Sequence, residues 1–111
     1  MRKAFFVVLF LIFLSGVYGQ TRSENRWILG RWAGTPWGTT QEWVFNDNGI
    51  LRRTSGAESK EYQFSINGNI LSYFEFENNR FFKYDITIFR INDQKIFLDI
   101  GGSFIEFNKR N

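Results

Sequence analysis

The chain has 111 residues, with 14 Lys and Arg against 11 Asp and Glu, and it contains neither histidine nor cysteine. The absence of these two residue types excludes disulfides, Ser–His and cysteine-dependent catalysis, and metal sites of the zinc, copper and haem types. Any function therefore depends on carboxylates, cations, amides, hydroxyls and aromatic rings.

The first 19 residues have the pattern of a secretory signal peptide. Arg2 and Lys3 form a basic start, residues 4–14 are uninterruptedly apolar, and Val17 and Gly19 supply small residues for a cleavage site. A membrane anchor is the alternative, but a spanning helix needs about 20 apolar residues. We therefore expect residues 1–19 to be removed, and the protein to be secreted or periplasmic with no membrane span after cleavage.

The remaining chain, residues 20–111, is expected to form a single domain. Loss of Arg2 and Lys3 leaves 12 basic residues against 11 acidic ones, a net charge of +1. Because nucleic-acid binding needs a concentrated basic face, we expect no nucleic-acid partner. Four Trp, three Tyr and ten Phe remain in these 92 residues, so aromatic side chains must build the core without help from disulfides.

The predicted elements begin with one helical turn in residues 21–29, with Ser23 as its N-cap and Gly30 as its stop. After Gly30, short alternating runs are separated by turns rich in Asn and Gly, which is typical of strands joined by hairpins. The predicted strands are residues 31–34, 41–45, 50–54, 60–66, 70–76, 80–91, 95–100 and 103–108. We predict an all-β fold, in which an antiparallel up-and-down meander of about eight strands closes into a small barrel. A two-sheet sandwich is the alternative.

Four segments carry a family resemblance. Gly30-Arg31-Trp32 follows a helical lead-in, residues 43–49 read WVFNDNG, residues 64–71 read FSINGNIL, and the last strand ends in Lys109-Arg110. They resemble the G-x-W signature of lipocalins of the calycin superfamily, together with later elements of the small bacterial lipocalin-like proteins. The resemblance implies that Trp32 plugs the closed end of a barrel and that Arg110, or Lys109, stacks over its indole. Gly30 would let the backbone pass close to the ring.

Few groups are arranged for catalysis. Glu75 and Glu77 lie two apart on one strand face, a spacing that sets carboxylates side by side, while Phe74 and Phe76 occupy the other face. We interpret the glutamates as a solvated outer face. Asp47 is interpreted as a turn residue, because no bidentate glutamate follows at calcium-loop spacing. We expect no enzymatic activity, no metal and no cofactor.

Two functions from different classes remain. The first is binding of a small apolar molecule in the barrel interior, where Tyr62 and Tyr84 would orient the ligand through their hydroxyls. The inward candidates for this role are Trp43, Phe45, Tyr62, Phe64, Tyr84 and Ile86. The second is a side-chain-filled barrel whose surface binds a protein or a cell-surface component, for example as an inhibitor. Trp37, on the loop 34–38, is then either a recognition anchor or a lid over the barrel mouth.

Overall fold

The computed structural model describes residues 23–110, which form a closed barrel of eight antiparallel strands in sequence order. The strands are β1 (Gly30–Gly34), β2 (Gln41–Phe45), β3 (Ile50–Ser55), β4 (Glu58–Asn67), β5 (Ile70–Glu77), β6 (Arg80–Asn92), β7 (Lys95–Ile100) and β8 (Ser103–Arg110). Two 3-10 helices, Ser23–Ile28 and Pro36–Gly38, precede β1 and β2. The predicted meander and barrel are confirmed, and the closed strand order rules out the sandwich. The predicted signal peptide, residues 1–19, lies outside the described residues.

Tight turns place each strand beside its predecessor. Between β5 and β6, Asn78 and Asn79 both adopt positive φ, 55° and 61°, as the two central residues of a two-residue hairpin require. The last strand then pairs with the first, Trp32 lying opposite Lys109. The eight strands of residues 23–110 consequently form a closed sheet in which each strand pairs on both sides. Within residues 23–110, no helix is long and apolar enough to cross a membrane.

One end of the barrel is plugged by the first 3-10 helix and the start of β1. Ile28 and Trp32 are both fully buried. The Trp32 indole N–H donates to the carbonyl of Ile28 at 2.8 Å, and the Asn25 amide donates to the carbonyl of Ile66 at 3.1 Å. These bonds fix the helix across the barrel end and satisfy polar groups that would be costly to bury unpaired. We call this the closed end.

The cation over the plugging indole is Lys109, so the structure corrects the role given first to Arg110. The Lys109 Nζ lies 5.1 Å from the Trp32 ring centroid. In the β1–β8 register Lys109 pairs with Trp32, whereas Arg110 pairs with Arg31 and is exposed. Successive side chains of a strand point to opposite faces, so only one of the two adjacent cations can reach the indole. A Cβ at Gly30, where φ is +119°, would lie 3.0 Å from the Lys109 Cε.

At the opposite end, the outer part of the β5–β6 hairpin is paired with neither β4 nor β7. Pairing between β4 and β5 begins at Gln63 and Phe74, and pairing between β6 and β7 begins at Thr87 and Asp99. Residues 75–86 therefore extend past the paired part of both neighbouring strands. The loop before β2 and the turns of the β3–β4 and β7–β8 hairpins lie at this same end, which we call the mouth.

Candidate functional site

Below the mouth, the barrel is filled by aromatic rings. Trp43, Phe45 and Phe64, all predicted to face inward, are no more than 6% exposed. The centroid of Phe45 lies 5.1 Å from that of Phe64, and the centroid of Trp43 lies 5.2 Å from that of Phe107. These are packing distances for aromatic pairs. The three residues therefore build the core and are not among those that line the cleft above them.

A cleft of about 590 Å³ opens at the mouth, which is within the usual range of small-ligand pockets. It is lined by aromatic rings (Trp37, Tyr62, Tyr73, Tyr84), cations (Arg53, Lys60, Lys83), carboxylates (Glu75, Asp85, Asp99) and the residues Ile86, Ile100 and Gly101. A smaller pocket of about 160 Å³ shares Arg53, Lys60 and Tyr62 with it. Of the six predicted ligand contacts, Tyr62, Tyr84 and Ile86 line the larger cleft.

Three tyrosines form a continuous wall of the cleft, which we call the tyrosine wall. The Tyr73 centroid lies 5.0 Å from that of Tyr62, edge to face, and 5.1 Å from that of Tyr84, stacked. Tyr73 is 6% exposed and Tyr84 is 40% exposed, so the wall runs from the core to the solvent. Burial raises the pKa of the Tyr73 hydroxyl, which keeps it neutral at physiological pH.

Arg53 lies at the inner end of the cleft, held by neutral groups. Its guanidinium carbon is 4.5 Å from the Trp43 ring centroid and 5.7 Å from those of Tyr62 and Tyr73. Its Nη1 donates to the Tyr73 hydroxyl at 3.1 Å, and its Nη2 donates to the Gln41 Oε1 at 3.4 Å. The same Gln41 oxygen accepts the Trp43 indole N–H at 2.9 Å. The cation is thus fixed over an indole at the bottom of the cleft.

Glu75 and Glu77 do not lie on the outer face of the sheet, so that prediction is wrong. Tyr73 pairs with Tyr84, and Glu75 pairs with Phe82 on the same face of the β5–β6 ladder. The alternate residues of β5 point outward, and Phe76 is 67% exposed. Strand β5 has apolar residues on both faces, and the face of Leu71, which is fully buried, is the one that meets the core.

The glutamates engage Lys60 at the mouth. The Lys60 Nζ lies 2.5 Å from the Glu75 Oε2 and 3.8 Å from the Glu77 Oε1, and the Tyr84 hydroxyl donates to the Glu75 Oε1 at 3.3 Å. The hydrogen bond from Lys60 lowers the pKa of the Glu75 carboxyl, and the same bond raises the pKa of Lys60. Both groups are consequently charged at neutral pH, and the Glu75 carboxylate is already occupied.

The sequence analysis missed Arg53, Lys60 and Tyr73, although strand alternation contains the signal. Arg53 follows the buried Leu51 by two residues in β3, and Lys60 precedes the buried Tyr62 by two residues in β4. Both cations therefore share a face with core residues. A charged residue on the inward face of a strand therefore predicts either the rim of the barrel or a binding site.

Trp37 stands at the mouth, where it lines the cleft with 67% of its surface exposed. Its backbone has φ 55°, a left-handed conformation that is uncommon for a residue other than glycine. The preceding Pro36 is buried, which anchors the loop. The roles predicted for Trp37, as lid or as recognition anchor, both remain predictions.

Within residues 23–110, no group of three or more carboxylates is placed to hold a metal ion. Comparisons of the chain with protein-family models, curated proteins and solved structures gave no match. The lipocalin-like resemblance therefore stays a prediction from the motifs, and the candidate site rests on the geometry of the cleft.

Proposed function

We propose that this protein is an exported, non-catalytic barrel that binds a small, partly apolar molecule in the cleft at its mouth. The observation that carries this proposal is the tyrosine wall, which lines a cleft of about 590 Å³ and reaches the solvent at Tyr84. Aromatic side chains beside polar groups at fixed positions are characteristic of small-ligand sites, and in this cleft six charged residues accompany the aromatic rings.

The packing of the interior favours the mouth over the deep interior as the ligand site. Trp43 packs against Phe45 and Phe107, and Phe45 packs against Phe64, so a ligand among them would have to displace core side chains. Core residues are close-packed, and rearranging them costs stability. At the mouth, by contrast, Tyr62, Tyr84 and Ile86 can contact a ligand without such a rearrangement.

The absence of catalysis is part of the proposal. The chain has no histidine and no cysteine, and the partly enclosed carboxylate of Glu75 accepts bonds from Lys60 and Tyr84. A carboxylate held in an ion pair with a lowered pKa is a poor general base at neutral pH.

The test is a titration of the purified protein with the neutral aromatic probe 2-naphthamide, followed by amide chemical shifts. We expect saturable shifts at the cleft and a roughly tenfold weaker affinity for Ile86→Phe, which fills the cleft. Phe81→Ala is the matched control, because Phe81 lies on the same strand but points outward and is 63% exposed. The absence of saturable binding would contradict the proposal.

A second function, binding of a protein partner, is favoured by exposed phenyl rings on the outer face. Phe76, Phe81 and Phe104 are each more than 60% exposed. Phe74 stacks on Phe81 at 5.6 Å between centroids, which makes a contiguous apolar surface. If this face is the functional one, Phe76→Ser and Phe81→Ser abolish a concentration-dependent association in sedimentation experiments, while Ile86→Phe has no effect on it.

A further inference from the structure

Among the cations of the cleft, Arg53 differs in having no carboxylate partner within residues 23–110. Lys60 pairs with Glu75 and Glu77, and Lys83 lies 3.9 Å from Asp85. Arg53 forms no ion pair with any carboxylate in residues 23–110, although it is partly buried. It also lies directly opposite Lys60 in the β3–β4 register, and like charges on neighbouring strands repel each other.

The position of Arg53 suits it to bind an anion. A guanidinium has five N–H donors, of which the bonds to Tyr73 and Gln41 use two. The Trp43 ring covers one side of the guanidinium and holds it in place, so little further ordering is needed when a ligand binds. Partial burial strengthens a charge–charge attraction relative to water.

The charges around the cleft favour a singly charged ligand. Glu75, Asp85 and Asp99 also line the cleft, and they would repel a dianion such as a phosphate monoester. The planar guanidinium matches the two oxygens of a carboxylate. Tyr73, the middle ring of the tyrosine wall, accepts the Arg53 bond, so an apolar group attached to the carboxylate can lie along the wall towards Tyr84.

We infer that the ligand is an amphipathic monocarboxylate, bound through its carboxylate to Arg53 and through its apolar part to the tyrosine wall. This inference rests on the proposed function and adds the chemical class of the ligand. Arg53 is the residue that determines the specificity, since it is the cation of the cleft whose charge is not offset by a carboxylate of residues 23–110.

The experiment compares three probes of the same ring system by calorimetry on the purified protein: 2-naphthoate, 2-naphthamide and 2-naphthyl phosphate. We expect 2-naphthoate to bind roughly ten- to a hundredfold more tightly than the neutral amide, the range for a hydrogen bond to a charged group. The phosphate should bind more weakly than the carboxylate. This comparison needs no variant and does not depend on whether one folds.

Two neighbouring arginines then provide a matched pair of variants. Arg53→Gln should reduce the affinity for 2-naphthoate to that for the amide and leave binding of the amide within about twofold. Arg52→Gln should leave all three affinities unchanged, because Arg52 points outward and pairs with Glu61. Arg53→Lys keeps the charge without the planar fork and should retain an intermediate preference for the carboxylate.

The outcomes separate the inference from the proposed function. Equal binding of the amide and the carboxylate at the cleft overturns the inference and leaves the proposed function standing. Tighter binding of the phosphate, or an equal loss in Arg52→Gln and Arg53→Gln, also overturns the assignment of a monocarboxylate to Arg53. No binding of any probe overturns the proposed function, and the inference falls with it.

Discussion

Each end of the barrel has a tryptophan with a cation above its ring, but the two pairs have different surroundings. At the closed end, the Lys109 Nζ lies 5.1 Å from the Trp32 centroid and 3.4 Å from the carbonyl oxygen of Trp27. At the mouth, the Arg53 guanidinium lies 4.5 Å from the Trp43 centroid and faces the cleft. Both indoles are no more than 1% exposed.

The comparison shows that the same chemical pair can complete a core or prepare a site. Lys109 is half-buried and donates to the carbonyl of Trp27 in the 3-10 helix at its end of the barrel. Arg53 instead lines the open cleft, together with Trp37 of the second 3-10 helix. The segment that covers the cation, rather than the cation or the indole, determines which role the pair has.

The largest expected effect is at the closed-end indole. Trp32→Ala should reduce the free energy of unfolding by about 3–5 kcal/mol, since it removes a large, fully buried side chain and leaves a cavity. Trp37→Ala is the comparison at the mouth. It should change the free energy of unfolding by less than about 0.5 kcal/mol, because Trp37 is 67% exposed. Urea denaturation measures both, and equal losses would refute this distinction between the two ends.

The cation at the closed end should contribute less than the indole. Lys109→Met should reduce the free energy of unfolding by about 0.5–2 kcal/mol, the range for a cation over an aromatic ring. Arg110→Met is the control, because Arg110 points outward one residue away. If Arg110→Met costs as much as Lys109→Met in the same denaturation experiment, the assignment of Lys109 to the Trp32 ring is wrong.

The smallest expected effect is a pH dependence at the mouth. The pKa of the Glu75 carboxyl is lowered in the folded protein, chiefly by the hydrogen bond from Lys60, below an ordinary value of 4.5. A carboxyl with a lowered folded pKa stabilises the fold above its unfolded pKa, and the contribution is lost as the pH falls through the folded pKa. We expect the protein to lose more stability on acidification than Glu75→Gln does.

Urea midpoints at pH about 6 and pH about 3.5, on either side of the glutamate range, measure this difference. The difference should be small because Lys60 is largely exposed and its ion pair is screened by solvent. Lys60→Met should lessen the acid sensitivity in the same way as Glu75→Gln. If the urea midpoint falls by the same amount between the two pH values in the unmodified protein and in both variants, the role given to the Lys60–Glu75 pair is wrong.

The strand positions were predictable because alternation and turn chemistry are local properties. Strands β2 and β7 begin and end at the predicted residues, and the other six differ by one or two residues at their ends. The inward faces of β4 and β6 were also predictable, since Tyr62, Phe64 and Ile66 alternate with polar residues. Alternation also placed Tyr62, Tyr84 and Ile86 on the inward face, and these three predicted ligand contacts line the cleft. The other three, Trp43, Phe45 and Phe64, belong to the core below the cleft, because strand alternation gives the face of a residue but not its depth in the barrel.

The sequence by itself determined the eight strands, their antiparallel order and the aromatic character of the core. Tertiary structure decided which face of β5 points inward and whether Lys109 or Arg110 meets Trp32, because a shift of one residue in register exchanges the two faces of a strand. It also decided that Arg53 is a cation without a carboxylate partner in residues 23–110. That property depends on Trp43, Tyr73, Lys60 and Glu75, which lie on three strands other than that of Arg53 and meet at the mouth only when the barrel is closed.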